Sequence, residues 1–223
     1  MSHVSQIAFF KSGVKSFPQL FGGKVIDIGS LDINGGPHRL LNAREYVGVD
    51  LAPGPNVDLV SRGELVDLPT GYFDVAMSSE CFEHNPAWRE TLHNMIRMVR
   101  PGGLVIFSCA TTGRPEHGTS RSDGGSAAPL AVEAGQEYYE NVTESDAIEE
   151  ARKANLARYF VETEPYAHDL YFAALKTGVD EASLQEFHRF ETVVRNRFSL
   201  GFVRTPSIKR WAFRLAKLRD PRT

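Results

Sequence analysis

Three groups of residues in this chain have the types and spacing to do chemistry. Asp27 and Gly29 close one short apolar run, and Asp50 closes the next, Tyr46–Val49. Farther on, Glu80, Glu83 and His84 follow a third run, and Glu116-His117 follows a fourth. A carboxylate at a strand tip can accept hydrogen bonds from two ribose hydroxyls, and a glycine nearby lets a ligand lie against bare backbone. A histidine beside a carboxylate is matched to proton transfer near neutral pH. The first group therefore points to a nucleoside-containing ligand, and the two Glu-His pairs to proton transfer or ligand orientation beside it.

The elements that must position these groups can be read around them. Residues 24–50 follow a strand, turn, crossover, strand pattern, and ligands of an open parallel sheet bind beyond the carboxyl ends of its strands. A dinucleotide site there needs closely spaced glycines for its pyrophosphate. The stretch Gly29-Ser30-Leu31-Asp32-Ile33-Asn34-Gly35-Gly36 lacks the G-x-G-x-x-G spacing, and Asp32 sets a carboxylate near the phosphate position. Like charges at that range repel. S-adenosylmethionine has no phosphate and carries an ammonium and a sulfonium, so an acidic loop suits it better.

With these residues in order, the sequence resembles the class I S-adenosylmethionine-dependent methyltransferases over residues 24–176, in particular bacterial members of the type 11 kind. Asp27-Ile28-Gly29 is similar to the family's first motif, Gly48-Val49-Asp50-Leu51 to its second, and Phe73–Glu80 to its fourth strand and exit. Arg62-Gly63-Glu64 falls where the family wraps adenine, and Arg100-Pro101-Gly102-Gly103 resembles the turn before the fifth strand. Leu31 and Ile33 stand where many members carry further glycines. The resemblance implies an α/β fold: a Rossmann-like, seven-stranded, mostly parallel sheet with an antiparallel last strand and helices on both faces. It assigns the cofactor to Asp27, Gly29, Ser30, Leu31, Asp50, Leu51, Arg62, Gly63, Glu64 and Ser79, and implies a methyltransferase domain over residues 1–178.

The remaining elements follow from periodicity and turn chemistry. Residues 4–21 predict a short amphipathic helix and a turn, and residues 37–42 leave room for only a short crossover helix. Residues 86–100 place Trp88, Leu92, Met95, Ile96 and Val99 on one helical side. Residues 143–154 form a helix opened by a capping hydroxyl, and 157–163 and 169–175 read as a terminal hairpin. Residues 111–139 are rich in glycine, serine and polar side chains, and a loop this long is either functional or a mobile surface segment. The expectation is a substrate loop. Residues 179–223 predict a helical, basic extension: from Arg204 onward there are seven Lys or Arg against Asp220 alone. Such a helix can meet an anionic membrane surface or pack on its own domain or a second subunit.

Composition sets bounds. A chain of 223 residues with 42% hydrophobic content can bury one sizeable core. Its two cysteines, Cys81 and Cys109, fit reduced thiols rather than a disulfide framework. The expected setting is a soluble cytoplasmic one, and the acidic balance of the first 203 residues speaks against nucleic acid.

Methyl transfer is an in-line displacement that needs alignment and exclusion of water, with a base when the acceptor is an alcohol. His117 is the first candidate for that base and His84 the second, with Glu80 placed to meet the cofactor or orient the acceptor. Glu83, His84, Glu116 and His117 are conceivable metal ligands, but two adjacent pairs on separate loops do not make a ligand pattern, and no metal is expected. The Arg114–Thr119 and Tyr138–Asn141 stretches resemble methyltransferases linked to sugar or surface-polysaccharide modification, which implies a hydroxyl of a carbohydrate or similar small molecule as acceptor. The alternatives are a non-enzymatic scaffold or regulator that binds S-adenosylmethionine, and an NAD-dependent oxidoreductase.

Overall fold

The computed structural model describes residues 4–33, 35–122 and 137–204, with side chains to residue 197. The chain opens with α1 (Val4–Ser16) and a single turn, α2 (Pro18–Phe21). Then follow β1 (Lys24–Ile28), β2 (Glu45–Asp50), β3 (Leu59–Val60), β4 (Phe73–Ser79), α3 (Trp88–Met98) and β5 (Val99–Ala110). The last elements are α4 (Glu144–Lys153), β6 (Leu156–Glu164), β7 (Asp169–Lys176) and α5 (Glu181–Arg204). Seven strands form one sheet in the order β3-β2-β1-β4-β5-β7-β6. The strands β1 to β5 run parallel, while β7 lies antiparallel between β5 and β6. This is the expected methyltransferase-type topology.

Strand alternation distributes the side chains between two cores. Ile26, Ile28, Val105 and Phe107 face Trp88, Leu92, Met95 and Ala147, from α3 and α4. Val25, Val75, Leu104 and Ile106 face Phe9 and Phe10 of α1 and Phe187, Phe190 and Val194 of α5. Helices therefore cover both faces. α5, which starts beyond the residues that carry the resemblance, is built into the second core.

Local chemistry accounts for the element ends. The side chain of Thr143 caps α4 by accepting from the Asp146 N–H at 3.1 Å. The connection from β1 to β2 contains only a short 3-10 turn, Pro37–Leu40. The Arg100–Gly103 turn expected before the fifth strand is instead an irregularity within β5. The register with β4 jumps there from Phe73↔Val99 to Val75↔Leu104. Gly102 adopts φ +72°, and Arg100 Nε donates to Asp74 at 2.6 Å to tie the excursion down.

The turn-rich segment at 123–136 and the basic tail after residue 204 lie outside the described residues. Among the described residues no helix is long and apolar enough to cross a membrane.

Phe190 is fully buried, with ring centroids 5.4 Å from Phe160, 5.8 Å from Phe9 and 6.1 Å from Phe17. Replacing it by alanine should cost about 3–5 kcal/mol of stability in denaturant unfolding. A change below about 1 kcal/mol would mean that α5 is not part of the cooperative core.

Candidate active site

The sheet order reverses between β1 and β4, and the cleft opens there, beyond their carboxyl ends. Its volume is about 470 Å³. Gly29 leaves β1 at φ +81°, a conformation that favours glycine, and a Cβ at this position would stand 2.6 Å from Cys81 Cβ. The exits of β1 and β4 are therefore packed against each other with no side chain between them. One strand over, a Cβ on Gly48 would lie 1.9 Å from the Asn56 carbonyl oxygen, so the segment after β2 folds directly onto that strand.

Asp50, at the tip of β2, is held by two backbone donors. Leu31 N–H reaches one carboxylate oxygen at 3.0 Å, and Leu51 N–H the other at 2.7 Å. An ionised carboxylate has about four acceptor sites, so capacity remains on the cleft side. Burial raises its pKa, against the pull of those two hydrogen bonds. Ser30 donates to the Asn56 carbonyl at 2.8 Å and fixes the first loop to the segment after β2. Arg62, Gly63 and Glu64 line the far wall, where Glu64 accepts from Thr91 Oγ1 at 3.3 Å. Gly63 is bare because Thr91 and Ile28 would meet a Cβ at 2.6 and 2.9 Å.

Asp27 is buried beneath the first loop. Burial pushes its pKa up to about 7, partly offset by the Tyr46 hydroxyl, which donates to it at 2.8 Å. Asn56 Nδ2 donates both to Tyr46 Oη, at 2.6 Å, and to the Ser30 carbonyl, at 2.9 Å. A side-chain relay thus supports the loop from below. Asp32 is spoken for: Arg39 Nη2 binds it at 2.7 Å, and His38 Nε2 stands 3.3 Å away. The negative charge attributed to this loop is largely offset by Arg39, so Asp32 does not discriminate between phosphate and sulfonium ligands in the way its sequence position implies.

The other end of the cleft is carboxylate-rich. Ser79 and Glu80 line it at the exit of β4, together with His84 and Tyr138. Glu80 has φ +53°, unusual for a side-chain-bearing residue, and its carboxylate is held by Gln6 of α1 and by Arg114, 3.5 Å away. Arg114 also binds the buried Asp169 at 2.6 Å and the Ala167 carbonyl at 2.8 Å. Glu83 is fully buried, and burial pushes its pKa up to about 7 although the Ala110 N–H donates to it at 3.2 Å. His84, His117 and Tyr139 cluster with ring centroids 5.0–5.4 Å apart. Burial holds both histidines below the usual imidazole range, His117 at about 4, so both are neutral at pH 7.

The structure gathers Asp27, Gly29, Ser30, Leu31, Asp50, Leu51, Arg62, Gly63, Glu64, Ser79, Glu80 and His84 around this one cleft. His117 is not among the residues lining the cleft. Its Nε2 faces Glu83 at 3.8 Å and Glu80 at 3.9 Å. Sequence reading passed over Tyr46, Asn56, Gln6 and Asp169, each of which orients a cleft residue or its partner through a long-range contact. The only local signal for any of them is a polar side chain within or beside an apolar element.

A family model described as a methyltransferase domain matches residues 15–164. The chain belongs to that family, the class I S-adenosylmethionine-dependent methyltransferases. Family membership sets aside the nicotinamide alternative. Over 107 residues the methyltransferase is 34% identical to a ubiquinone biosynthesis O-methyltransferase of Erwinia tasmaniensis, a match covering 40% of this chain and 43% of that one. The chain thus spans about two fifths of the length of the curated relatives it matches. Among solved structures, a Burkholderia thailandensis 1,6-didemethyltoxoflavin-N1-methyltransferase, with its ligand and S-adenosylhomocysteine bound, superposes with TM-score 0.52 and 20% identity. That likeness covers 76% of this chain and 78% of the other. A Haemonchus contortus phosphoethanolamine N-methyltransferase in complex with S-adenosyl-L-methionine gives TM-score 0.56 and 17% identity, over 76% and 52%. At these identities the two structures speak for the fold.

The residues present fit the family's cofactor. The backbone is bare at Gly29, a strand-tip carboxylate retains acceptor capacity, and the volume lies within the roughly 300–1,000 Å³ of small-ligand sites. Asp27 generates a prediction about pH. Its carboxyl is raised in the folded state, so the native protein keeps a proton that the unfolded chain releases between about pH 4 and 7. Stability should therefore fall as pH rises through that window. Asp27→Asn, which keeps an acceptor for Tyr46, should be more stable than the parent at pH 8 by on the order of 2–4 kcal/mol, and close to it at pH 4. Parallel stability profiles of the two proteins from pH 4 to 8 would contradict the assignment.

Proposed function

We propose that this methyltransferase transfers the methyl group of S-adenosylmethionine to an oxygen of a small hydroxylated acceptor. The observation that carries the reading is Glu80, a carboxylate on the cleft wall anchored from opposite sides by Gln6 and Arg114. An alcohol must lose a proton as it is methylated, and Glu80 at the strand exit can accept it. Burial and the neighbouring Glu83 and Asp169 raise its pKa well above the usual carboxylate range, against Arg114 and Gln6, which makes its ionised form a stronger base. The O-methyltransferase name of the Erwinia relative supports oxygen as the acceptor atom. Carbohydrate hydroxyls belong to this class and rest on the loop resemblance alone. The names of the relatives give them no added weight.

In this reading Asp50 holds the ribose hydroxyls, and Gly29 and Ser30 give backbone access to the methionyl part. Arg62, Gly63 and Glu64 border the adenine, and Asp27 stiffens the loop from below. When bound, the cofactor supplies an electrophilic methyl carbon on a positively charged sulfur. The chain contributes alignment and a closed wall against water. His84 and Tyr138 border the acceptor side, and His117 acts on the acceptor only through its neighbours Glu80 and Glu83.

Calorimetric titration should show binding of S-adenosylmethionine and S-adenosylhomocysteine and none of NAD. Asp50→Ala should weaken both by roughly 100-fold, the loss of two hydrogen bonds to a charged group. Unchanged affinity would displace the ribose from Asp50. With a labelled methyl donor and a panel of alcohols, phenols and sugars, Glu80→Gln should lower kcat by about 10²–10⁴ while leaving cofactor affinity within a few-fold. An unaffected rate would remove Glu80 from proton transfer. Cofactor binding without turnover on any acceptor would favour the non-enzymatic, S-adenosylmethionine-binding reading.

A further inference from the structure

Glu83, His84 and His117 come from two loops, after β4 and after β5, and converge behind the acceptor end of the cleft. One ligating atom from each lies within 4.8 Å of those of the other two. Three further observations bear on what the cluster is for. First, Glu83 is fully buried, and its Oε2 has no hydrogen-bond partner among the described residues, while Oε1 is fixed by the Ala110 N–H. A buried carboxylate oxygen left unpaired is costly unless something else occupies it.

Second, each imidazole is oriented by the same device. His84 Nδ1 lies 3.3 Å from the Tyr138 carbonyl and His117 Nδ1 3.2 Å from the Pro115 carbonyl. A carbonyl only accepts, so each ring donates from Nδ1, and in the neutral ring this leaves the Nε2 lone pair for a ligand. That is the arrangement by which backbone carbonyls orient metal-ligating histidines. His117 Nε2 stands 3.8 Å from Glu83 Oε1, the oxygen that also accepts from Ala110, so a metal would engage the same carboxylate whose Oε2 has no partner among the described residues. Third, Arg114 pairs with both Glu80 and Asp169, and among the described residues the buried Glu83 forms no ion pair with any Arg or Lys, only the approach of His117. A second cation would balance the charge.

We propose that Glu83, His84 and His117 form a binding site for a divalent transition-metal ion. Two imidazoles and one carboxylate favour Zn²⁺, Co²⁺, Fe²⁺ or Mn²⁺ over Mg²⁺ and Ca²⁺, which take oxygen ligands. In a four-coordinate shell with bonds of about 2.0–2.2 Å, ligands stand about 3.4 Å apart, so closing the cluster asks for about an ångström of side-chain movement. Three protein ligands leave a position open, and Glu80, 3.9 Å from His117 Nε2, borders it. The site stands independently of the acceptor. On the oxygen-acceptor reading, the open position is where an acceptor hydroxyl would be polarised.

The test is metal binding by the full chain, stripped with chelator and titrated with Zn²⁺, Co²⁺ and Mg²⁺, with stoichiometry confirmed by elemental analysis. One equivalent of Zn²⁺ or Co²⁺ is expected, undisturbed by excess Mg²⁺. His117→Ala, which removes a half-exposed ligand, should weaken Zn²⁺ binding at least 100-fold with the circular dichroism spectrum unchanged, and His84→Ala should do the same. His93→Ala, on α3 beside Glu150, should bind as the parent does. No stoichiometric binding by the parent, or equal binding by His117→Ala and His84→Ala, would overturn the proposal. The readout needs no acceptor, so its failure leaves the methyl-transfer reading standing, and the failure of that reading leaves the metal site standing.

Discussion

The contact between Gly29 and Cys81 is the constraint on which the rest of the site depends. It brings the exits of β1 and β4 together across the switch point, at a separation that admits no side chain. With Gly29 in the left-handed region, the following N–H groups of Ser30 and Leu31 turn back toward β2, one reaching the Val49 carbonyl and the other the Asp50 carboxylate. The same closeness sends the chain after Cys81 immediately into the turn that carries Glu83 and His84. A Cβ at position 29 would separate the loop that faces the cofactor from the loop that faces the acceptor. One hydrogen atom in place of a methyl group thus couples the two halves of the site.

What lies under these loops is polar, and the low dielectric of the interior makes that polarity consequential. On the cofactor side a relay of Asp27, Tyr46 and Asn56 is satisfied from end to end, and such a network specifies one loop path because any other would strand a buried group. On the acceptor side the accounts are less even. Two largely buried carboxylates, Glu80 and Asp169, meet one arginine, and one oxygen of the neighbouring Glu83 has no hydrogen-bond partner among the described residues. The first arrangement rigidifies a loop, and the second concentrates unspent charge where a cation, a proton or a polar acceptor can use it.

The sheet was legible because its signals are local. Short apolar runs ending in Asp27, Asp50 and Ser79 are strands whether or not their neighbours are known, and Thr143 followed by acids marks a helix start on its own. The residues that line the cleft around the ends of β1, β2 and β4 were legible for the same reason, lying at or just beyond strand tips. The acceptor end was not. Gln6 reaches Glu80 across 74 positions, and Arg114 reaches Asp169 across 55, so neither partnership leaves a trace in spacing. The charge of Asp32 was misjudged because its partner Arg39 lies seven residues on, in the short 3-10 turn of the crossover, and becomes a neighbour only in the folded loop. The length of β5 was misjudged because Pro101 and Gly102 read as a turn, whereas the strand absorbs them as an irregularity pinned by Asp74.

The cofactor side is made by backbone at one glycine, one strand-tip acid and one relay, all within β1, β2 and the segments that follow them. Most substitutions there disturb the loop itself. The acceptor side is assembled from single side chains on α1, on the turn after β4, on the segments at 114–117 and 138–139, and on β7. None of those side chains belongs to the two apolar cores that hold the sheet. The family is settled by the matched domain and the sheet, whereas the acceptor belongs to the reading proposed for Glu80, because a fold does not fix what its site takes.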